Sequence, residues 1–143
     1  MKYSFKNDYA EGAHPRILEA LVQSNFTQQN GYGLDDYCKN AENLIQEIVN
    51  NPKAKVHFVS GGTQANLIVM SAFLRPHESV VSAETGHIFT NESGAIEATG
   101  HKVHGVETVA GKLRPLDIQK VIDVHPHIPH QVKPTLVYIS NST

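Results

Sequence analysis

The sequence predicts an α/β fold, three-layered, with a mostly parallel sheet and helices on both faces. Short apolar runs alternate with helical patterns four times along the chain, the signature of strands joined by helical crossovers. The runs are continuous, as in Leu136-Val137-Tyr138-Ile139, and parallel strands covered on both faces need this pattern. With 143 residues, 40% apolar and 18% charged, the chain can bury a sizeable core.

The elements follow in order. Residues 1–34 read as a polar N-terminal arm with one short helix after His14-Pro15, because proline suits a first helical turn and Ile17, Leu18 and Leu21 then fall on one face. Residues 35–143 read as the main α/β body. Asp35 or Asp36 can cap a helix carrying Tyr37, Ala41, Leu44, Ile45 and Ile48, which Asn50-Asn51-Pro52 ends. Val56 to Val59 reads as a buried strand, Thr63 to Leu74 as a helix apolar nearly all round, and Val80 to Ala83 as a second strand. A weaker helix is expected over Asn91 to Ala98, a strand over Lys102 to Val106, a helix from Pro115 to about Val124, and a last strand over Thr135 to Ser140.

Composition excludes several function classes. Twelve Lys and Arg against fourteen Asp and Glu leave no positive excess to follow a nucleic-acid backbone or an anionic membrane. No apolar run approaches the ~20 residues of a bilayer crossing. One cysteine, Cys38, allows no internal disulfide and no cysteine-built zinc site, so a cytoplasmic chain is expected.

Two stretches carry chemistry. Val59-Ser60-Gly61-Gly62-Thr63-Gln64-Ala65-Asn66 joins a strand to a helix through two glycines and a hydroxyl, so free N–H groups and the helix dipole would favour an anion, most often a phosphate. An ordinary glycine-rich turn with Thr63 as N-cap has the same sequence. Neither a P-loop nor a Gly-x-Gly-x-x-Gly fingerprint is present. Gly86-His87-Ile88 follows a strand, with Glu92 five residues on, which puts a histidine at a carboxyl strand end, where open α/β sheets bind ligands. His125, His127 and His130 invite a metal, but Pro126 and Pro129 keep them extended and no cysteine or carboxylate is near in sequence. A solvated loop explains them better, and no metal site is expected.

Together, Phe5-Lys6-Asn7-Asp8, Glu11-Gly12-Ala13-His14-Pro15, Gly31-Tyr32-Gly33-x-Asp35, Gly61-Gly62-Thr63-Gln64-Ala65-Asn66, Gly86-His87-Ile88 and Glu92-x-Gly94-Ala95 resemble the low-specificity L-threonine aldolases. These belong with the β-eliminating lyases among pyridoxal phosphate enzymes of the aspartate aminotransferase fold. The resemblance implies a pyridoxal 5'-phosphate cofactor held by Gly61, Gly62 and Thr63, with His87 stacked on its ring and Glu92 beside that histidine. It implies substrate contacts from Asn7, Asp8 and Tyr32, with Tyr32 and Asp35 on a loop approaching a neighbouring subunit of a homodimer or homotetramer. Asn7 departs from the serine that many aldolases carry, although asparagine can still donate to a carboxylate.

The implied reaction cleaves a 3-hydroxy amino acid to glycine and an aldehyde, the cofactor taking up the electrons and a histidine handling the hydroxyl proton. Related lyases that act on aromatic amino acids tend to stack an aromatic ring where His87 stands, which favours the aldolase. In the family the Schiff-base lysine lies beyond the position matching Thr143, and Lys102, Lys112, Lys120 and Lys133 match no site position. The expectation is therefore an N-terminal portion of a large cofactor-binding domain, inactive alone. A non-catalytic phosphate-binding or assembly module of the same fold, or a β-eliminating lyase acting on another amino acid, are the alternatives.

Overall fold

The computed structural model describes residues 11–141. It falls into two compact units, one ending at Phe58 and the other beginning at Val59.

The first unit holds two helices, α1 (Pro15–Ser24) and α2 (Asp36–Ile48). Pro15 occupies the first turn of α1, and Nδ1 of His14 accepts from the Arg16 N–H at 3.2 Å. The Asp35 carboxylate caps α2 by accepting from the Cys38 N–H at 2.8 Å, so one helix starts on a pre-set φ and the other on a side-chain acceptor. No described residue of either helix is buried. Ile17, Leu21 and Tyr37 instead line an open apolar groove of about 670 Å³.

The second unit carries the sheet. Its elements are α3 (Gly62–Phe73), β1 (Glu78–Ala83), α4 (His87–Thr90), a 3-10 turn at Glu97–Thr99, β2 (Val103–Val106), α5 (Pro115–Asp123) and β3 (Lys133–Val137). The strand order is β2-β1-β3 and both pairings are parallel, with Val80 opposite Val103 on one side and Leu136 on the other. An α/β architecture with a parallel sheet is thus present.

All six residues of the central strand β1 are buried, whereas β3 alternates exposed and half-buried positions. The continuous apolar run suits a strand flanked on both sides, and β3 has a neighbour on one side only among the described residues. Met70, Leu74, Val80, Ile88, Ile96 and Val103 form the core, with Leu136 and Tyr138 packed against it. The polar residues of β1 are satisfied locally. Glu78 accepts from the Arg75 N–H at 2.9 Å, and Ser79 Oγ pairs with His104 Nε2 at 3.0 Å, as burial requires. Pro115 and Asp117 start α5, the Asp117 carboxylate accepting from the Arg114 backbone N–H and guanidinium. These bonds hold its pKa down at about 2.

Three sequence expectations need correction. Residues 56–59 form no strand and only Val56 is half-buried, because an extended run needs a neighbour for its backbone and none of the described strands pairs with it. No helix spans Asn91 to Ala98, since Ser93 and Gly94 take left-handed φ of 52° and 76°, which interrupts a right-handed helix. The last strand covers Lys133–Val137 and not Thr135 to Ser140.

Candidate active site at the end of the central strand

The loop after β1 is shaped by Gly86. Its N–H donates to the Ala83 carbonyl at 2.8 Å, and a Cβ there would overlap Ser82 Oγ and stand 2.9 Å from the Ala83 carbonyl oxygen. Only glycine lets the chain turn so close to the strand end. The turn delivers His87 as the first residue of α4, where its N–H donates to Ser140 Oγ at 3.2 Å. The segment after β1 is thereby tied to the segment after β3.

The His87 side chain is 45% exposed, while the Glu92 side chain is wholly buried, with Nδ1 of His87 2.7 Å from Oε1 of Glu92. The same Oε1 accepts from Nδ2 of Asn66 at 2.6 Å. Oε2 of Glu92 is buried and has no partner among the described residues. Asn66 lies one turn into α3, so this carboxylate ties the histidine loop to the start of that helix.

Helix α3 begins at Gly62, with Gly61 as N-cap and no side-chain cap bond. Thr63 is therefore inside the first turn and not the cap that an ordinary turn would use. Gln64 reaches back over the entry, its Oε1 accepting from both the N–H and the hydroxyl of Ser60 at 2.8 Å. Gly61, Gly62 and Thr63 are exposed, and a Cβ on either glycine would meet nothing within 4 Å. The first turn of this twelve-residue helix is thus exposed and uncrowded, a setting in which its free N–H groups favour an anion.

A cleft of about 470 Å³ opens past the ends of β1 and β3, lined by Thr85, Gly86, Lys112, Tyr138, Ser140 and Asn141 among others. Lys112 reaches this rim from a turn and not from a strand end, with Ala110 and Gly111 before it at φ of 53° and 69°.

Gly61, Gly62, Thr63, His87 and Glu92 therefore lie in one unit, and Glu92 joins His87 to α3. Tyr32 lies in the other unit, fully exposed and at a left-handed φ of 64°. Asn7 and Asp8 lie outside the described residues. Asn66 and Ser140 had no role in the sequence reading. A mid-helix asparagine, unfavourable there unless its side chain has other employment, was the available signal for the first. Among the described residues no three His, Cys, Asp or Glu side chains group around a common point suited to a metal. His125 packs edge-on against His104 with ring centroids 4.6 Å apart, and His127 and His130 are exposed.

Comparison with known proteins bears on this arrangement. Residues 8–143 match the family model of beta-eliminating lyases. The chain is 29% identical over 141 residues to a low specificity L-threonine aldolase of Pseudomonas aeruginosa and 30% identical over 141 residues to one from another Pseudomonas strain. Each match covers 97% of this chain and 40% of the relative. A solved structure of Leishmania major threonine aldolase superposes with a TM-score of 0.93 at 51% identity, covering 99% of this chain and 41% of that one. The chain spans about two-fifths of the length of the relatives it matches.

Proposed function

Because the chain belongs to the beta-eliminating lyase family, we propose that it supplies part of the active site of a pyridoxal phosphate-dependent lyase that cleaves L-threonine or a related 3-hydroxy amino acid to glycine and an aldehyde. The observation that carries this reading is the Asn66–Glu92–His87 chain of contacts, which fastens a half-exposed histidine to the uncapped start of α3.

The residues present fit such a cofactor. Backbone N–H groups at Gly62 and Thr63, with the Thr63 hydroxyl, would take its phosphate, and Gly61 leaves room for the approach. When bound, the cofactor supplies an electron-poor pyridinium ring that takes up the electron pair released as the Cα–Cβ bond breaks.

The protein's own work is proton handling and orientation. Oε1 of Glu92 already accepts from Asn66, whose Nδ2 can only donate, so the ring nitrogen facing it carries the hydrogen. That leaves the lone pair of the neutral ring on Nε2, available for the hydroxyl proton of a 3-hydroxy amino acid. The buried carboxylate then stabilises the imidazolium it has created, much as a carboxylate orients the histidine of a hydrolase triad.

The resemblance supports the assignment of Asn7, Asp8 and Tyr32 to the substrate, of residues 35–143 to the cofactor-binding domain and of the assembly to a homodimer or homotetramer, while the single cysteine supports a cytoplasmic location. No described helix is long and apolar enough to cross a membrane.

The test is cofactor binding by the 143-residue chain, followed by absorbance, comparing pyridoxal 5'-phosphate with pyridoxal. Phosphate-dependent binding is expected, weakened several-fold by Thr63→Val and by Gly62→Pro, which removes one N–H while keeping a residue tolerated at a first helical position. Equal binding of the two compounds, or binding indifferent to both substitutions, would overturn the assignment of α3 to the phosphate. Glycine and acetaldehyde formed from L-threonine by the holoenzyme test the reaction itself.

A further inference from the structure

We propose that Asn66 is a positioning residue that sets the tautomer of His87, by holding Oε1 of Glu92 as a hydrogen-bond acceptor. The geometry leaves few other arrangements. Both short contacts of Glu92, 2.6 Å from Asn66 Nδ2 and 2.7 Å from His87 Nδ1, fall on the same oxygen. Among the described residues Oε2 is buried without a partner, and within them the hydrogen bonding of a side chain with no exposed surface rests on Oε1.

An amide NH2 has hydrogens and no lone pair to offer. While Asn66 points at Oε1, that oxygen receives a hydrogen from outside and cannot comfortably carry one of its own. The imidazole is then the second donor, with hydrogen on Nδ1 and the lone pair on Nε2. Without Asn66, Oε1 is no longer held to accepting; an O–H there would offer a hydrogen bond to Nδ1 only after Nδ1 has released its hydrogen to solvent and Nε2 has taken one up, which leaves the neutral ring in the Nε2–H form. An Nε2–H ring has no lone pair on the half-exposed nitrogen and cannot accept a substrate proton there.

The catalytic meaning of this device rests on the function proposed above. The tautomer itself needs neither cofactor nor substrate to be measured, so the two readings fail separately. The experiment is nitrogen-15 NMR of the histidine side chains in the 143-residue chain, with the His87 signal assigned by its loss in His87→Gln. In the parent chain the neutral ring is expected with hydrogen on Nδ1, and finding it on Nε2 would overturn the proposal with no variant needed. Asn66→Leu, similar in size but with no donor, is expected to raise the Nε2–H share of the neutral ring measurably above that of the parent. Asn66→Gln, which keeps a donor, is expected to restore part of the Nδ1–H population. A purely structural asparagine predicts an unchanged tautomer in every folded variant, and that result would equally overturn the proposal. The buried pair His104–Ser79 serves as an internal reference for folding. If Asn66→Leu fails to fold, the parent spectrum and Asn66→Gln still decide the matter, since loss of the Nδ1–H form in a folded Gln variant with its donor engaged would contradict the mechanism.

Discussion

Nδ1 of His87 lies 2.7 Å from Oε1 of Glu92, a half-exposed ring held by a carboxylate that has no exposed surface. Such a pair can orient the ring and stabilise its charged form when a proton arrives at the other nitrogen. Glu92→Gln is expected to keep the fold and the proposed cofactor binding, because the amide oxygen can still accept from Asn66 and His87. It removes the negative charge, so under the function proposed above kcat for threonine cleavage by the full-length enzyme carrying the substitution should fall by about ten- to a hundredfold with little change in KM. An unchanged kcat would separate this histidine from the proton transfer.

His104 gives a pH dependence of stability with a definite sign. Burial in β2, with Lys102 and the His125 ring close by, lowers its pKa from 6.5 to about 4, and its Nε2 pairs with Ser79 Oγ. Between those two values the unfolded chain binds a proton that the folded one refuses, so stability falls as pH falls. The contribution is fully present above about pH 6.5 and lost on the way down to about pH 4, on the order of 3 kcal/mol at most. Denaturant midpoints measured across that range should drop with acidity in the parent chain and drop less in His104→Gln.

Cys38 is predicted to be a slow thiol. The Asp35 carboxylate that caps α2 lies beside it, and hydrogen bonding, burial and that charge all push the thiol pKa up. Less thiolate at neutral pH means slower alkylation. Asp35→Asn removes the charge while leaving a good N-cap, so iodoacetamide should label Cys38 several-fold faster in that variant with helix content unchanged. Equal rates would mean that access, and not charge, limits the reaction.

What the sequence made legible divides by the range of the physics. Helices α1, α2, α3 and α5 begin within a residue of their expected starts, because Pro15, Asp35, the Gly61-Gly62 pair and Pro115 act on their own first turns. Residues 56–59 have the composition of a strand, yet a strand exists only through a neighbour's backbone, which no local pattern encodes. Ser93 and Gly94 broke an expected helix through left-handed φ values; Gly94 was visible as a breaker, but a serine gives no such notice. At the site, His87 and Glu92 are five residues apart and could be paired in advance. Asn66 reaches Glu92 across 26 residues, a contact set by how α3 packs on the loop after β1, and periodicity does not reveal it.

Gly86 is the residue on which the placement of His87 depends. Its φ of −64° is open to any amino acid, so its requirement is steric and not conformational. An added methyl would overlap Ser82 Oγ and stand 2.9 Å from the Ala83 carbonyl oxygen, both fixed by the fully buried strand β1. Gly86→Ala should therefore cost about 1–3 kcal/mol, the usual range for overpacking, read from denaturant unfolding. Removing the hydroxyl with Ser82→Ala takes away the worse of the two overlaps and leaves the backbone one. The double variant should then recover part of the loss and no more, giving a favourable coupling between the two sites. The same displacement would lengthen the 3.2 Å bond from the His87 N–H to Ser140 Oγ, so the His87 amide should exchange with solvent faster in Gly86→Ala than in the parent. A Gly86→Ala chain as stable as the parent, with His87 equally protected, would show that the loop after β1 has slack and that its close approach to the strand does not hold the histidine in place.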